Sequence, residues 1–205
     1  LAISAVGCGS SSDSSSSTAD SAQSTEAAAD GATFKIGGIG PITGGAAIYG
    51  QAVMNAAQMA VDKINADGGI NGYQVEFRFE DDEHDAEKSV NAYNTLKDWG
   101  MQMLMGTVTS TPCTAVSAKT EEDNMFQLTP SGSAVESIAP ANAFRVCFSD
   151  PNQGAASAQY IGENKLATKI GVIYDSSDVY SSGIYEKFAA EAANQGLEIV
   201  SAEAF

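Results

Sequence analysis

Two short polar stretches carry the residue types best suited to holding a small molecule. Ser110 and Thr111 precede Pro112 and a run with helical spacing, and Ser131-Gly132-Ser133 follows Thr129-Pro130. A helix N-terminus offers free N–H groups and the positive end of the helix dipole, so hydroxyls beside it suit an anion such as a carboxylate. The same residue types also cap helices and shape turns, and the pattern alone leaves both readings open. Other chemistries fit less well. Gly38-x-Gly40 is followed by Thr43 where a dinucleotide fingerprint needs Gly, and Gly40-x-x-x-x-Gly45 is followed by Ala46-Ala47 where a P-loop needs Lys and a hydroxyl. Glu80 to Glu87, with His84 inside it, has consecutive carboxylates and no EF-hand glycine, which reads as a solvated strand-to-helix loop. One His and no Gly-x-Ser-x-Gly elbow leave no basis for triad chemistry. Cys113 and Cys147 lie far from His84 in sequence and read as small buried hydrophobes, free or bridged. No catalytic residue, metal or cofactor is expected.

These stretches need elements to position them. Phe34–Ile39 reads as a strand and Gly40–Gly45 as a loop. A helix from Tyr49 places Val53, Ala57, Ala60 or Val61, and Ile64 on one face, and Gly68-Gly69-Ile70 ends it. Asn71-Gly72 is a tight-turn pair, and Tyr73, Val75, Phe77 and Phe79 alternate as a strand does. Asp85 reads as an N-cap, Gly100 as the stop of that helix, and Met101–Met105 as a strand. Pro112 suits a first helical position in a helix running to about Asp123. Phe126–Thr129 and Phe144–Phe148 read as strands. After Asp150 the rhythm restarts, with helices at Gln153–Asn164 and Ser181–Gln195 and strands at Lys169–Tyr174 and Leu197–Ala204. Such βαβα repetition implies an α/β fold with parallel sheets covered by helices. Ligands bind such sheets beyond the carboxyl ends of the strands. That rule gathers the Gly40 loop, the Thr107–Thr111 loop and the Pro130–Ser133 loop on one rim, with Lys169–Tyr174 in a second lobe facing it.

Composition narrows the partners. The chain has 205 residues, 43% hydrophobic, and a formal net charge of −16 from 10 Lys plus Arg and 26 Asp plus Glu. That balance excludes a basic face for nucleic acid or a polybasic membrane patch. Residues 9–30 hold nine Ser, two Thr, five Ala and four acidic residues and no large apolar side chain. Such a segment cannot bury enough surface to offset its ordering entropy, and it reads as a flexible tether.

Motifs along most of the remaining chain carry a resemblance. They are Gly40-Pro41-Ile42-Thr43-Gly44 with Tyr49-Gly50, then Ala60-x-x-x-Ile64-Asn65-x-x-Gly68-Gly69-Ile70-x-Gly72, Asp81-Asp82-x-x-Asp85 and Gly106 through Ser110. Thr129-Pro130-Ser131-Gly132-Ser133 and Arg145-x-x-x-x-Asp150-x-x-Gln153-Gly154 complete the order. Over residues 33–205 the chain resembles the solute-binding proteins of ABC transporters for branched-chain and related amino acids, of the type I periplasmic-binding fold. The resemblance implies two Rossmann-like lobes with the ligand between them. It implies a ligand carboxylate on Ser110 and Ser133, and an ammonium on the Ser131 carbonyl and the Ser133 hydroxyl. Tyr49, Val108, Thr109 and Gly132 would form pocket walls, Tyr180 would be an aromatic from the second lobe, and Asp150-Pro151-Asn152 the first hinge crossing. The acidic residue that the family sets against the ammonium falls beyond Phe205.

Leu1 to Cys8 resembles the end of a bacterial lipoprotein signal peptide, with Cys8 as the lipidated residue and Ala5 where Leu is usual. The expected organisation is a signal remnant at 1–7, a lipid-anchored tether at 8–32, an N-terminal lobe at 33–150, and a hinge with the first part of an incomplete C-terminal lobe at 151–205. The implied role is an extracytoplasmic, monomeric binder that delivers an amino acid, of branched-chain type or a related small carboxylate or amide, to an ABC permease and meets the membrane only through its lipid. The rival role is a ligand-sensing module of the same fold in a signalling system.

Overall fold

The computed structural model describes Gly31 and residues 33–205, so the signal-peptide and Cys8 readings lie outside the described residues. Five parallel strands form the first sheet: β1 (Thr33–Gly40), β2 (Gln74–Asp81), β3 (Met103–Met105), β4 (Gln127–Thr129) and β5 (Ala143–Arg145). Their spatial order is β2-β1-β3-β4-β5. Between them run α1 (Ala47–Ala66), α2 (Ala86–Trp99), α3 (Ser110–Glu122) and a short 3-10 turn at Val135–Ile138. The chain then forms α4 (Asp150–Glu163), β6 (Lys169–Tyr174), α5 (Val179–Asn194) and β7 (Glu198–Ala204), with β6 and β7 paired in a second parallel sheet.

Local sequence explains the punctuation. Asn71 and Gly72 both take positive φ, 51° and 85°, as a two-residue hairpin turn requires, and Ile70 and Tyr73 exchange backbone hydrogen bonds across it. The Asp85 carboxylate caps α2 by accepting from the Lys88 N–H at 2.8 Å. Gly100, at φ 89°, ends α2 in the left-handed region that a side chain would disfavour. Tyr93 and Leu96 of α2 then pack on Ile39, Leu104 and Val116 in the first core. In the second lobe Ala158, Ala192 and Leu197 form a small core that Phe188 and Ile199 cover. Gly154 lets α4 lie directly on the backbone of α5, since a Cβ there would run into the Ile184 carbonyl. That packing fixes where the first turn of α5 sits relative to the rim.

Several boundaries differ from those expected. Helix α1 buries Val61 rather than Ala60. Helix α3 starts two residues before Pro112, with Thr109 as N-cap. Pro112 is then the third helical residue, still in the turn whose N–H groups have no acceptor inside the helix. Of the expected Phe144–Phe148 strand only Phe144 and Arg145 pair with β4, joined by Ala143, and residues 146–149 form an irregular connection. Asp150, Pro151 and Asn152, expected as the hinge crossing, instead form the first turn of α4. Pro151 explains this, because its fixed φ suits the start of a helix and its missing N–H costs nothing there. Among the described residues no helix is long and apolar enough to cross a membrane.

Candidate functional site

The sheet reverses winding direction between β1 and β3. Chains leave these neighbouring strands toward opposite faces, which opens a crevice beyond their carboxyl ends. A cavity of about 500 Å³ lies at this rim. Its wall includes Tyr49, Val108, Thr109, Ser110, Ser131, Ser133 and Tyr180 from the expected set. It also includes Ala46, His84, Cys147, Phe148 and Asp178, which were not expected. The volume is that of a small-molecule site.

The N-terminus of α3 shows how the polar side is built. The Thr109 hydroxyl faces Nδ1 of His84 at 2.9 Å and makes no capping bond to its own helix. Among the described residues the N–H groups of Ser110 and Thr111 donate to no protein acceptor. The buried Ser110 Oγ accepts from the N–H of Ser133 at 3.1 Å and of Ala134 at 3.2 Å. A hydroxyl has two acceptor positions and one proton. With both acceptor positions filled, the Ser110 proton is left to donate outward, which is the polarity a carboxylate needs.

The opposing loop is held from several sides. Thr129 Oγ1 donates to the Thr107 carbonyl and accepts from the Gly132 N–H at 2.8 Å. Arg145 Nη1 donates to the carbonyls of Ser133 at 2.7 Å and Ala134 at 3.1 Å, and the Asp150 N–H donates to the Ser133 carbonyl at 3.0 Å. The Ser131 carbonyl accepts from no described group. Gly132 does not reach the cavity. It lies beneath the loop, where a Cβ would stand 2.8 Å from Thr129 Oγ1 and 3.1 Å from Cys113 Sγ. Its requirement is close approach to the floor rather than contact with a ligand.

The acidic run joins β2 to α2 with Glu83, His84, Asp85 and Glu87 exposed, as its sequence implies, but Asp81 and Asp82 turn inward. Asp81 Oδ1 accepts from the N–H groups of Ile42 at 2.9 Å, Glu83 at 3.0 Å and Thr43 at 3.4 Å, and Oδ2 accepts from the Thr43 hydroxyl. Burial alone would raise its pKa, but the Thr43 hydroxyl and these N–H groups hold it below the usual carboxylate range. Asp82 is fully buried, accepts from the His84 N–H at 2.9 Å, and leaves Oδ2 without a partner. Burial pushes its pKa up to about 6. The pair ties the loop after β1 to the loop after β2 and so sets His84 on the cavity wall.

Both described cysteines are free thiols, but only Cys113 is the buried hydrophobe expected. Cys147 is half-buried on the cavity wall, in the irregular connection after β5. Asp178 is the N-cap of α5, accepting from the Ser181 N–H at 3.2 Å. The sequence held this signal as Asp178 three residues before Ser181, but a helix begun at Ser181 leaves Asp178 in a loop. Among the described residues no cluster of three or more His, Cys, Asp or Glu is arranged to hold a metal ion.

A family model described as periplasmic binding protein matches residues 33–205. The chain belongs to the periplasmic-binding-protein family. Its fold is the type I periplasmic-binding fold. It is 34% identical over 167 residues to the Leu/Ile/Val-binding protein homolog 3 of Brucella melitensis, covering 80% of this chain and 45% of that relative. It is 30% identical over 169 residues to the leucine-, isoleucine-, valine-, threonine- and alanine-binding protein of Pseudomonas aeruginosa, covering 82% of this chain and 45% of the relative. Among solved structures, the branched-chain amino acid transporter substrate-binding protein LivJ of Streptococcus pneumoniae, in complex with isoleucine, superposes with a TM-score of 0.78. It is 29% identical, and the match covers 84% of this chain and 49% of that one. The chain thus spans about half the length of these relatives.

Proposed function

We propose that this protein is the extracytoplasmic solute-binding component of an ABC importer and that its cavity takes an amino acid with a small apolar side chain. The observation that carries this reading is the Ser110 hydroxyl. Its acceptor positions are filled by Ser133 and Ala134, which leaves its proton free to donate beside the free N–H groups of Ser110 and Thr111. These three donors form a seat for a carboxylate at a helix N-terminus. The open Ser131 carbonyl and the Ser133 hydroxyl supply acceptors for the ammonium, and Ala46, Tyr49, Val108, Phe148 and Tyr180 supply apolar wall for the side chain. The three relatives named above are described as binding, or as homologous to proteins that bind, leucine, isoleucine or valine, which supports the same ligand class.

The mechanism is binding without turnover. Tyr180 and the N-cap Asp178 come from the start of α5, whereas Ser110 and Ser133 come from the first sheet's rim, so a ligand between them rewards closure of one lobe on the other. Residues 146–149, the irregular connection between β5 and α4, are the segment where that motion would turn. The closed form would then present both lobes to a permease, as a monomer, with lipid on Cys8 holding it at the outer face of the membrane. Calorimetry of the whole protein against a panel of amino acids tests the reading. Saturable one-to-one binding of leucine, isoleucine, valine or a close analogue is expected, and no heat with any amino acid would refute it.

A further inference from the structure

Thr111 and Asp178 are joined across the rim. Thr111 is the second residue of α3, and its Oγ1 donates to Oδ1 of Asp178 at 2.9 Å. Asp178 is the N-cap of α5, and its other oxygen accepts from the Ser181 N–H. One half-buried carboxylate thus takes donors from the first turns of two helices, one on each side of the cleft. Among the described residues this is the only side-chain-to-side-chain hydrogen bond between the first five-stranded body and the β6–β7 body, and no salt bridge joins them. Asp178 lines the cavity, whereas Thr111 does not.

We propose that the Thr111–Asp178 hydrogen bond is an interlobe clasp that favours the closed arrangement before ligand arrives, and so sets the affinity for every ligand by a common factor. The clasp rests on the reading of the cavity as a site that closes between two lobes. Separation of the lobes breaks the bond and returns both groups to water, so its whole contribution appears as a bias between open and closed forms. A ligand that binds the closed form sees its intrinsic affinity scaled by the fraction of protein already closed. Thr111→Val removes only the hydroxyl bonded to Asp178 and keeps the Thr111 backbone N–H at the carboxylate seat. Thr111 is accordingly a positioning residue.

The test uses the whole protein with Thr111→Val, which keeps the side-chain volume, and Thr111→Ser, which keeps the hydroxyl. Dissociation constants are measured by calorimetry for several amino acids, and the radius of gyration without ligand is measured by small-angle X-ray scattering. For Thr111→Val we expect affinity to fall roughly 3- to 10-fold by the same factor for each ligand, as loss of a partly exposed hydrogen bond to a charged group would give. The unliganded radius of gyration should rise, and Thr111→Ser should restore both quantities. A fall confined to one ligand, no fall at all, or a Thr111→Ser variant as weak as Thr111→Val would overturn the clasp. If the wild type binds no amino acid, the functional reading fails and scattering alone decides the clasp. Expansion of unliganded Thr111→Val then supports it, and an unchanged radius overturns it.

Discussion

Ser110→Ala is expected to destabilise the fold as well as weaken ligand binding, because its hydroxyl works in both directions. Ser110 Oγ accepts from two backbone N–H groups, those of Ser133 and Ala134, and all three residues are buried. Alanine removes that acceptor and leaves both N–H groups facing a methyl. Each buried donor left unpaired costs ~1–3 kcal/mol. The adjoining cavity admits water to one of them, which leaves the cost of a single orphan, again about 1–3 kcal/mol. For a chain of this length each kcal/mol lowers the melting temperature by about 2–4 °C, so a fall of roughly 2–12 °C is expected. Ser133→Ala is the control. The Ser133 hydroxyl lies toward the Asp150 carboxylate without completing a hydrogen bond to it, and the loop is held through the backbone of Ser133. That variant should melt within about 1 °C of the wild type. The assay is thermal unfolding by circular dichroism without ligand. If Ser110→Ala melts no lower than Ser133→Ala, the Ser110 hydroxyl does not hold the loop. The inference that its proton is left for a carboxylate then fails with it.

Three further outcomes follow from the same contacts. Asp82 is buried with a folded pKa near 6 against a usual value of 3.8. The folded state therefore holds this proton more tightly than the unfolded state, and stability falls as pH rises through that interval and stays lower above it. Asp82→Asn should be more stable than the wild type at pH 7.5 by about 1–3 kcal/mol in urea unfolding, with the gap closing below about pH 4; a gap independent of pH would contradict the assignment. Gly50→Ala should lower the melting temperature by more than about 5 °C, because a Cβ there would run into the Pro41 carbonyl and force the loop after β1 away from α1; unfolding scans check it, and an unchanged melting temperature would contradict that packing. Burial raises the Cys147 thiol pKa, and the side chain lines the cavity, so alkylation followed by peptide mass spectrometry should be slow and slower still with saturating ligand. Equal rates with and without ligand would place the ligand elsewhere.

The periodic parts of the chain were legible because local rules and tertiary contacts agree there. Strand β6 at Lys169–Tyr174 has the bounds its sequence implies, and Asp85 and Gly100 bracket α2 as cap chemistry requires. The rim was legible for the same reason, since strand order and the hydroxyl loops after β3 and β4 converge on one cavity. What was missed depends on contacts between distant segments. His84 reaches the cavity because Asp81 and Asp82 fasten two loops together, a pairing that consecutive carboxylates do not advertise. Asp178 joins the site as the cap of a helix that starts two residues earlier than the expected Ser181. Gly132 was taken as pocket wall from the family resemblance, while its backbone is drawn down onto Thr129.

A crystal structure of the whole protein soaked with leucine or isoleucine tests the central claim most directly. The ligand carboxylate is expected within about 2.7–3.2 Å of Ser110 Oγ and the N–H groups that open α3, with the side chain against Tyr49, Val108 and Tyr180. A bound amino acid whose carboxylate makes no contact with Ser110, or one seated outside this cavity, would contradict it.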